Sequence, residues 1–194
     1  MSIDGRRLQR TLHKQQHQAE ILTMQLANAI KTNNFDSLWL YSHVDENIVF
    51  YIYQYDKMVY WSNSWLTSTT RVVQPIYDQW YFTQWDNAQG VCYRTKINEF
   101  QLVVAIPIKY NYSVTSSQLH NSFISPFHAD EKWTLNYNRS DSAFPIYSYD
   151  NTYLFSIDQQ KTAQLSSSLV GVSDVMDNFS YRSIFASNES NDTS

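Results

Sequence analysis

An α+β fold, with a long N-terminal helix packed on a five-stranded antiparallel sheet, is predicted by three observations. Residues 4–32 contain no proline and space their apolar side chains by fours and threes, the period of one helix face. From Ile48 the period falls to two, in five segments rich in β-branched and aromatic residues. A hairpin and a three-stranded meander built from those segments leave an apolar sheet face that needs cover, and the long helix is the natural cover.

Asp4–Thr32 is rich in Gln, Leu, Lys, Arg and Ala, all good helix formers, and has Gly5 only at its second position. Leu8, Leu12, Gln15, Ala19, Leu22, Leu26 and Ala29 fall on one seam of the sort a two-stranded coiled coil uses, with Gln15 as the polar interruption. Ile21 and Ile30 widen the stripe, as in a helix lying on its own sheet. Two uses of the seam stay open at this point. The helix packs on the core alone, or it packs below while Leu8, Leu12, Gln15, Ala19 and Leu22 form a homodimer seam above. Asn33 and Asn34 stop the helix.

Ile48–Gln54 and Lys57–Ser62 are separated by Tyr55 and Asp56, the spacing of a tight hairpin. Trp65–Gln79, with Thr, Ser and Pro75, reads as a connector. Trp80–Trp85, Val91–Ile97 and Phe100–Tyr110 follow as the meander, turning at Asp86–Gly90 and at Asn98–Glu99. With 3 glycines in 194 residues, such hairpins must turn on Asp, Asn and Gln. Beyond Tyr112 the pattern weakens. Gln118–Phe123 reads as a short helix, Trp133–Tyr137 as a short strand, and Tyr153–Ile157 as a last strand after a turn at Tyr149–Asn151. Leu165, Leu169, Val172, Met176 and Phe179 again step by fours and threes, which predicts a second amphipathic helix, and Ser187–Ser194 has the composition of a disordered tail.

Several chemistries lack the residues they need. Gly5, Gly90 and Gly171 stand alone, so no glycine-rich phosphate loop exists. The lone Cys92 excludes an internal disulfide, a zinc ribbon or an iron–sulfur cluster, and its place in a strand predicts a buried, inert thiol. A net charge of −4 argues against non-specific nucleic-acid binding. The longest aliphatic run, Leu102–Ile108, is far short of the about 20 residues a spanning helix needs, and the stretch behind Arg6 and Arg7 is too polar for a signal peptide. His13 and His17 have metal-site spacing but Lys14 beside them, and read as a solvated face. His128, Asp130 and Glu131 read as an ordinary loop, so no metal and no cofactor are expected. No G-x-S-x-G turn is present, and no pair of carboxylates or other catalytic residue is nominated. Asn111, Asn138, Asn178, Asn188 and Asn191 fit the glycosylation pattern, a weak signal in a chain rich in Asn and Ser. The aromatic runs Tyr60–Trp65 and Trp80–Trp85 suit either a carbohydrate platform or two strands burying one face.

The succession FDSLWLYS, IVFYIYQYDKMVYWSNSW, WYFTQWDNAQGVCYRTKINEFQLVVAIPIKYNY, LHNSF and IYSYDNTYLFSI resembles the extracytoplasmic sensor domain of Bacteroidales membrane-bound sensor histidine kinases. The most specific part is Ile48–Asn63, an aromatic strand, a Tyr-x-x-Asp turn and Tyr-Trp-Ser-Asn; next is Ile-Lys-Tyr-x-Tyr at Ile108–Tyr112. The resemblance covers Ala19–Asp158. It implies a PAS-like or Cache-like domain, periplasmic in its parent protein, whose long helix continues from a first membrane span and relays an outside signal to a dimeric kinase inside. The chain has neither a His-Glu-x-x-x-Pro phosphoacceptor box nor a glycine-rich ATP lid, so no enzymatic activity is expected of it. Membrane contact is expected only through flanking segments outside this sequence, as in an excised piece or a stand-alone relative. A polar stretch follows Asp158, where the family's second membrane span would come.

The resulting organisation is a signalling-type helix over residues 1–34, a sensor domain over 35–158, and a polar tail with an amphipathic helix over 159–194. The expected partner is a small-molecule or protein signal, together with a second copy through the helix. The ligand-facing candidates are Tyr60, Trp61 and Asn63, with Trp80, Tyr81 and Arg94 expected on neighbouring strands; Arg94, the only Arg inside the predicted sheet, suits an anion. The first rival reading is a secreted carbohydrate-binding or surface-interaction module, and the second a small hydrolase with carboxylates assembled in space.

Overall fold

The computed structural model describes residues 3–42, 45–66, 76–116, 119–138 and 143–159. Helix α1 (Ile3–Lys31) leads through a 3-10 turn (Phe35–Ser37) into the short helix α2 (Leu38–Tyr41). Strands β1 (Val49–Gln54), β2 (Lys57–Trp61), β3 (Trp80–Gln84), β4 (Ala88–Ile97) and β5 (Phe100–Tyr110) form an antiparallel sheet in the order β2-β1-β5-β4-β3. Strands β6 (Trp133–Asn136), β7 (Phe144–Tyr147) and β8 (Tyr153–Gln159) form a second, antiparallel sheet in the order β6-β8-β7. All of these elements belong to one compact unit, Met1–Lys161. The amphipathic helix expected at Leu165–Phe179, and the tail beyond it, lie outside the described residues.

Helix α1 stops where two asparagines allow it to. Asn33 takes a positive φ of 52°, the Asn33 N–H donates to the Ile30 carbonyl at 3.2 Å, and the Asn34 N–H donates to the Ala29 carbonyl at 2.9 Å. That is a Schellman closure with Asn in place of glycine. Every described residue with positive φ is likewise non-glycine: Asn33, Tyr55, Asp56, Asp78, Asn98 and Asn151. Tyr55 and Asp56 together make the doubly left-handed turn of the β1–β2 hairpin, and Asn98 turns β4 into β5.

The helix seam is consumed by the chain's own core. Leu8, Leu12, Ala19, Leu22, Leu26, Ala29 and Ile30 pack in one cluster with Phe50, Leu102, Val104 and Ile106 of the first sheet and Leu135, Ile146 and Phe155 of the second. The residues expected to form a homodimer seam, Leu8, Leu12, Gln15, Ala19 and Leu22, are all buried within a single chain. The correction has a simple cause: steps of four and three suit a helix on a sheet as well as a helix on its twin. His13, expected on a solvated face, is half-buried and its Nε2 donates to the Tyr147 carbonyl at 2.9 Å, tying α1 to the second sheet.

Three other expectations change. The second sheet gains β7, whose Pro145 hides it from a reading by alternation; proline is accommodated because β7 is an edge strand. The described part of the predicted Gln118–Phe123 helix is extended, with Phe123 bridged to Lys109. A bulge also alters β5. Gln89 pairs with Lys109 and Gly90 with Pro107, which leaves Ile108 extra and reverses the alternation beyond it. Only glycine fits at position 90, because a Cβ there would lie 2.2 Å from the Ile106 carbonyl oxygen and 2.8 Å from the Pro107 Cα. Beyond the bulge the buried Lys109 Nζ donates to the Glu131 carbonyl at 3.0 Å and to the Trp133 carbonyl, fastening the first sheet to the loop that enters β6.

Candidate functional site

Alternation along each strand gives the first sheet two unlike faces. The face under α1 carries Phe50, Ile52, Trp80, Val91 and Val104. The opposite face carries Val49, Tyr51, Cys92, Val103 and Ala105, with Tyr53 and Tyr81 packed at its margins and Leu66, Trp65 and Ile124 lying on it. Cross-strand register lines this second face up in rows: Tyr81, Cys92, Ala105 and Val49 in one, and Arg94, Val103, Tyr51 and Trp61 in the next.

The end of this face is strapped by the segment after β2. The Tyr51 hydroxyl donates to the Leu66 carbonyl at 3.1 Å, Asn87 Nδ2 donates to the Trp65 carbonyl at 2.6 Å, and the Asn63 side-chain oxygen accepts from the Trp65 N–H at 3.0 Å. Trp65 and Tyr110 meet edge to face, and Tyr110 stacks on Tyr112 at 5.4 Å. A cleft of about 540 Å³ opens beside this strap, lined by Asp45, Asn47, Ser62, Asn63, Trp65 and Tyr110 among others.

The β3–β4 side of the same face holds a small cluster of buried polar groups. The Tyr81 hydroxyl faces the Cys92 thiol and the Arg94 guanidinium, each near enough to act on it as a side-chain hydrogen-bonding neighbour; the contacts are loose, short of strict hydrogen-bond geometry, and both the hydroxyl and Arg94 Nε are buried. Burial, with Cys92 adding to it, raises the Tyr81 hydroxyl well above its ordinary range, and the Arg94 charge only partly offsets this. Burial likewise pushes the Cys92 thiol up to about 12, against the pull of Arg94, so the thiol stays protonated and is a poor nucleophile at neutral pH. Tyr51 is raised by burial first and by Cys92 and Tyr53 next. The arrangement is therefore a neutral, aromatic floor with one cation at its edge.

The six candidate ligand residues do not converge. Tyr60 and Trp80 lie on the helix side: Tyr60 stacks on Phe50 at 5.7 Å, and Trp80, 1% exposed, packs against Tyr93 at 5.6 Å. Trp61, Tyr81 and Arg94 lie on the opposite face, and Asn63 belongs to the strap and its cleft. Trp80 and Tyr81 on β3 do neighbour Arg94 on β4, but β2, which carries Tyr60 and Trp61, does not adjoin either strand. β2 and β3 are the two outer edges of the sheet, separated by four strand spacings or roughly 19 Å. Alternation identifies which residues share a face within one strand, but the order of strands depends on pairings distant in sequence. Tyr51, Tyr53 and Cys92, which the candidate set omits, prove to share the face of Tyr81 and Arg94; the odd-numbered positions of Ile48–Gln54 were the available signal.

Of the aromatic runs that suit either a carbohydrate platform or buried strands, Trp80 and Trp85 are both buried, while Trp61 is exposed at the β2 edge. Among the described residues no group of three or more His, Cys, Asp or Glu side chains is placed to hold a metal ion, and no helix is long and apolar enough to cross a membrane. Comparison with protein-family models, with curated proteins and with solved structures returned no match.

Proposed function

We propose that this chain is a sensor module, the extracytoplasmic domain of a two-component sensor histidine kinase, which receives a signal on the sheet face opposite α1 and passes it to that helix without doing chemistry itself. The observation that carries the reading is the two-sidedness of β4. Cys92 and Arg94 face the buried Tyr81 hydroxyl, while Tyr93, between them, and Val91, beside them, face the core in which α1 is packed. A molecule that settles against one face thus acts on the strand that supports the helix on the other. The order of segments from FDSLWLYS to IYSYDNTYLFSI supports the family assignment, and with it a periplasmic setting and an output to a kinase encoded by flanking sequence. Because the helix seam is buried in one chain, the relay is proposed as a small rotation or slide of α1 on its own sheet, a two-state shift that the signal biases.

A thermal-shift panel of small molecules and glycans, followed by amide hydrogen exchange with any stabilising compound, tests this reading. It predicts stabilisation by a small molecule and altered protection in both β4 and α1. Stabilisation by glycans alone, with changes confined to the exposed Trp61 edge, would favour the carbohydrate-binding reading and contradict this one.

A further inference from the structure

We propose that the cleft beside the strap is a binding site for an organic ammonium ion, an amine carried on a small hydrocarbon or aromatic body. The inference deepens the sensor reading and depends on it for purpose, not for binding. At about 540 Å³, the cleft has the size of a pocket for a small organic molecule. Its lining combines two chemistries. The turn Asp45–Ile48, closed by the Ile48 N–H donating to the Asp45 carbonyl at 3.2 Å, brings the carboxylates of Asp45 and Glu46, while Trp65, Tyr110 and Phe123 bring aromatic rings. Among the described residues no Lys, Arg or His side chain lines the cleft, and neither carboxylate makes an ion pair; the one such pair joins His17 and Glu20. Two carboxylates without a partner cation, in a concave site, constitute a region of negative potential.

Three further features define what would fill it. The strap's own polar side chains are already engaged: Ser62 Oγ accepts from the Phe50 N–H at 2.9 Å and the Asn63 side-chain oxygen from the Trp65 N–H at 3.0 Å. Asp45 Oδ1 accepts from the Asn47 N–H at 2.8 Å and from Asn47 Nδ2 at 3.1 Å, which holds the carboxylate in place through neutral donors and leaves its charge uncompensated. Phe123 already receives the ammonium of Lys109, whose Nζ lies 5.1 Å from the ring centre and donates to the Glu131 and Trp133 carbonyls, so Trp65 and Tyr110, in edge-to-face contact, are the rings left to a ligand. A carboxylate and an aromatic ring in one cleft suit an ammonium group and the body that carries it; an anion would be repelled, and a neutral molecule would leave the carboxylates unused. The same turn reaches α1. Asp45 and Ile48 also line a smaller pocket, about 220 Å³, with Ile21 and Leu22 of that helix, and Ile48 and Leu22 share one core cluster. An ion drawn to Asp45 thus acts on a turn seated against the helix.

The test is titration of the chain with phenethylamine and butylamine, alongside the matched alcohols 2-phenylethanol and butan-1-ol and the neutral sugar methyl glucoside, read by thermal shift and calorimetry. The expected result is saturable binding of at least one amine, at least tenfold weaker binding of its alcohol and of the sugar, and at least a tenfold loss in the double variant Asp45→Asn with Glu46→Gln. That variant removes charge alone, since an asparagine oxygen at position 45 still accepts from Asn47, and its circular dichroism should match that of the wild type. In the wild type, raising the ionic strength from about 0.02 M to about 0.5 M should weaken amine binding several-fold. Equal binding of amine and alcohol, sugar binding as tight as that of the amines, absence of binding by both amines, an affinity indifferent to salt, or an unchanged affinity in the folded double variant would each overturn the proposal. Its fate separates from that of the sensor reading: an amine that binds through the two carboxylates and leaves the exchange of α1 amides unchanged keeps the site and refutes the relay, while a neutral compound that alters α1 equally in wild type and double variant does the reverse.

Discussion

Gln16 is fully buried on α1, and neither atom of its side-chain amide has a partner among the described residues; its neighbour Gln15 is buried too, with Nε2 donating to Gln18 and Oε1 unpartnered. Unsatisfied buried amides destabilise a fold, so Gln16→Met, which keeps the length and drops the polarity, is expected to raise unfolding free energy by about 1–2 kcal/mol in urea; a loss of stability would show that the amide is satisfied in solution. Tyr55 presents the opposite situation, an exposed side chain in a left-handed turn position. Tyr55→Gly relieves a backbone cost of about 1–2 kcal/mol and should stabilise the hairpin and raise the melting temperature. The buried titratable groups set a pH dependence. Cys92 moves from an ordinary 9.0 up to about 12, and Tyr51 and Tyr81 are also raised. Between their unfolded and folded values these groups hold protons in the native state that the unfolded chain has released. Their stabilisation is complete below about pH 9 and is lost as pH rises, at about 1.4 kcal/mol per pH unit for each group. Lys109, lowered by burial despite Glu131 and Asp130 nearby, acts in the other direction but is a single group. Denaturant titrations from pH 8 to 11 should therefore show stability falling, with a shallower slope in Cys92→Ala.

At the scale of elements, the burial of the α1 seam decides what a substitution there does. Leu12 is completely buried among both sheets, so Leu12→Ala should cost about 2–5 kcal/mol and leave the sedimentation coefficient of the folded chain unchanged. A shift in oligomeric state at constant stability would restore the seam to a partner. Helix α1, its asparagine stop and all five strands of the first sheet were legible in the sequence because each rests on local information: a period, a turn residue, a β-branched run. The elements that escaped it lack such a signal. β7 is four residues long and includes Pro145; the extended segment at Phe123 owes its form to β5 beside it; and the bulge at Ile108 depends on Gly90 approaching Pro107 across the ladder. The number of sheets was likewise hidden, since β8 buries four consecutive positions, Leu154–Ile157, on pairings with two separate strands.

For the whole molecule, the candidate site was legible in its residue types but not in its assembly. Tyr81 and Arg94 were singled out from composition and strand pattern and do lie together, whereas Tyr60 and Trp80 face the core and Trp61 stands at the far edge of the sheet. Strand order and the sidedness of each strand together determine which of these side chains meet. The proposed relay depends on the same two facts, because a sheet one strand thick separates Arg94 and Tyr81 from the core that seats α1. The most direct measurement is amide hydrogen exchange of the full chain, with and without the small molecule that gives the largest thermal shift. The account predicts changed protection in β4 and, together with it, along Leu12–Ala29 of α1; protection that changes in β4 while α1 exchanges as in the free protein would contradict it.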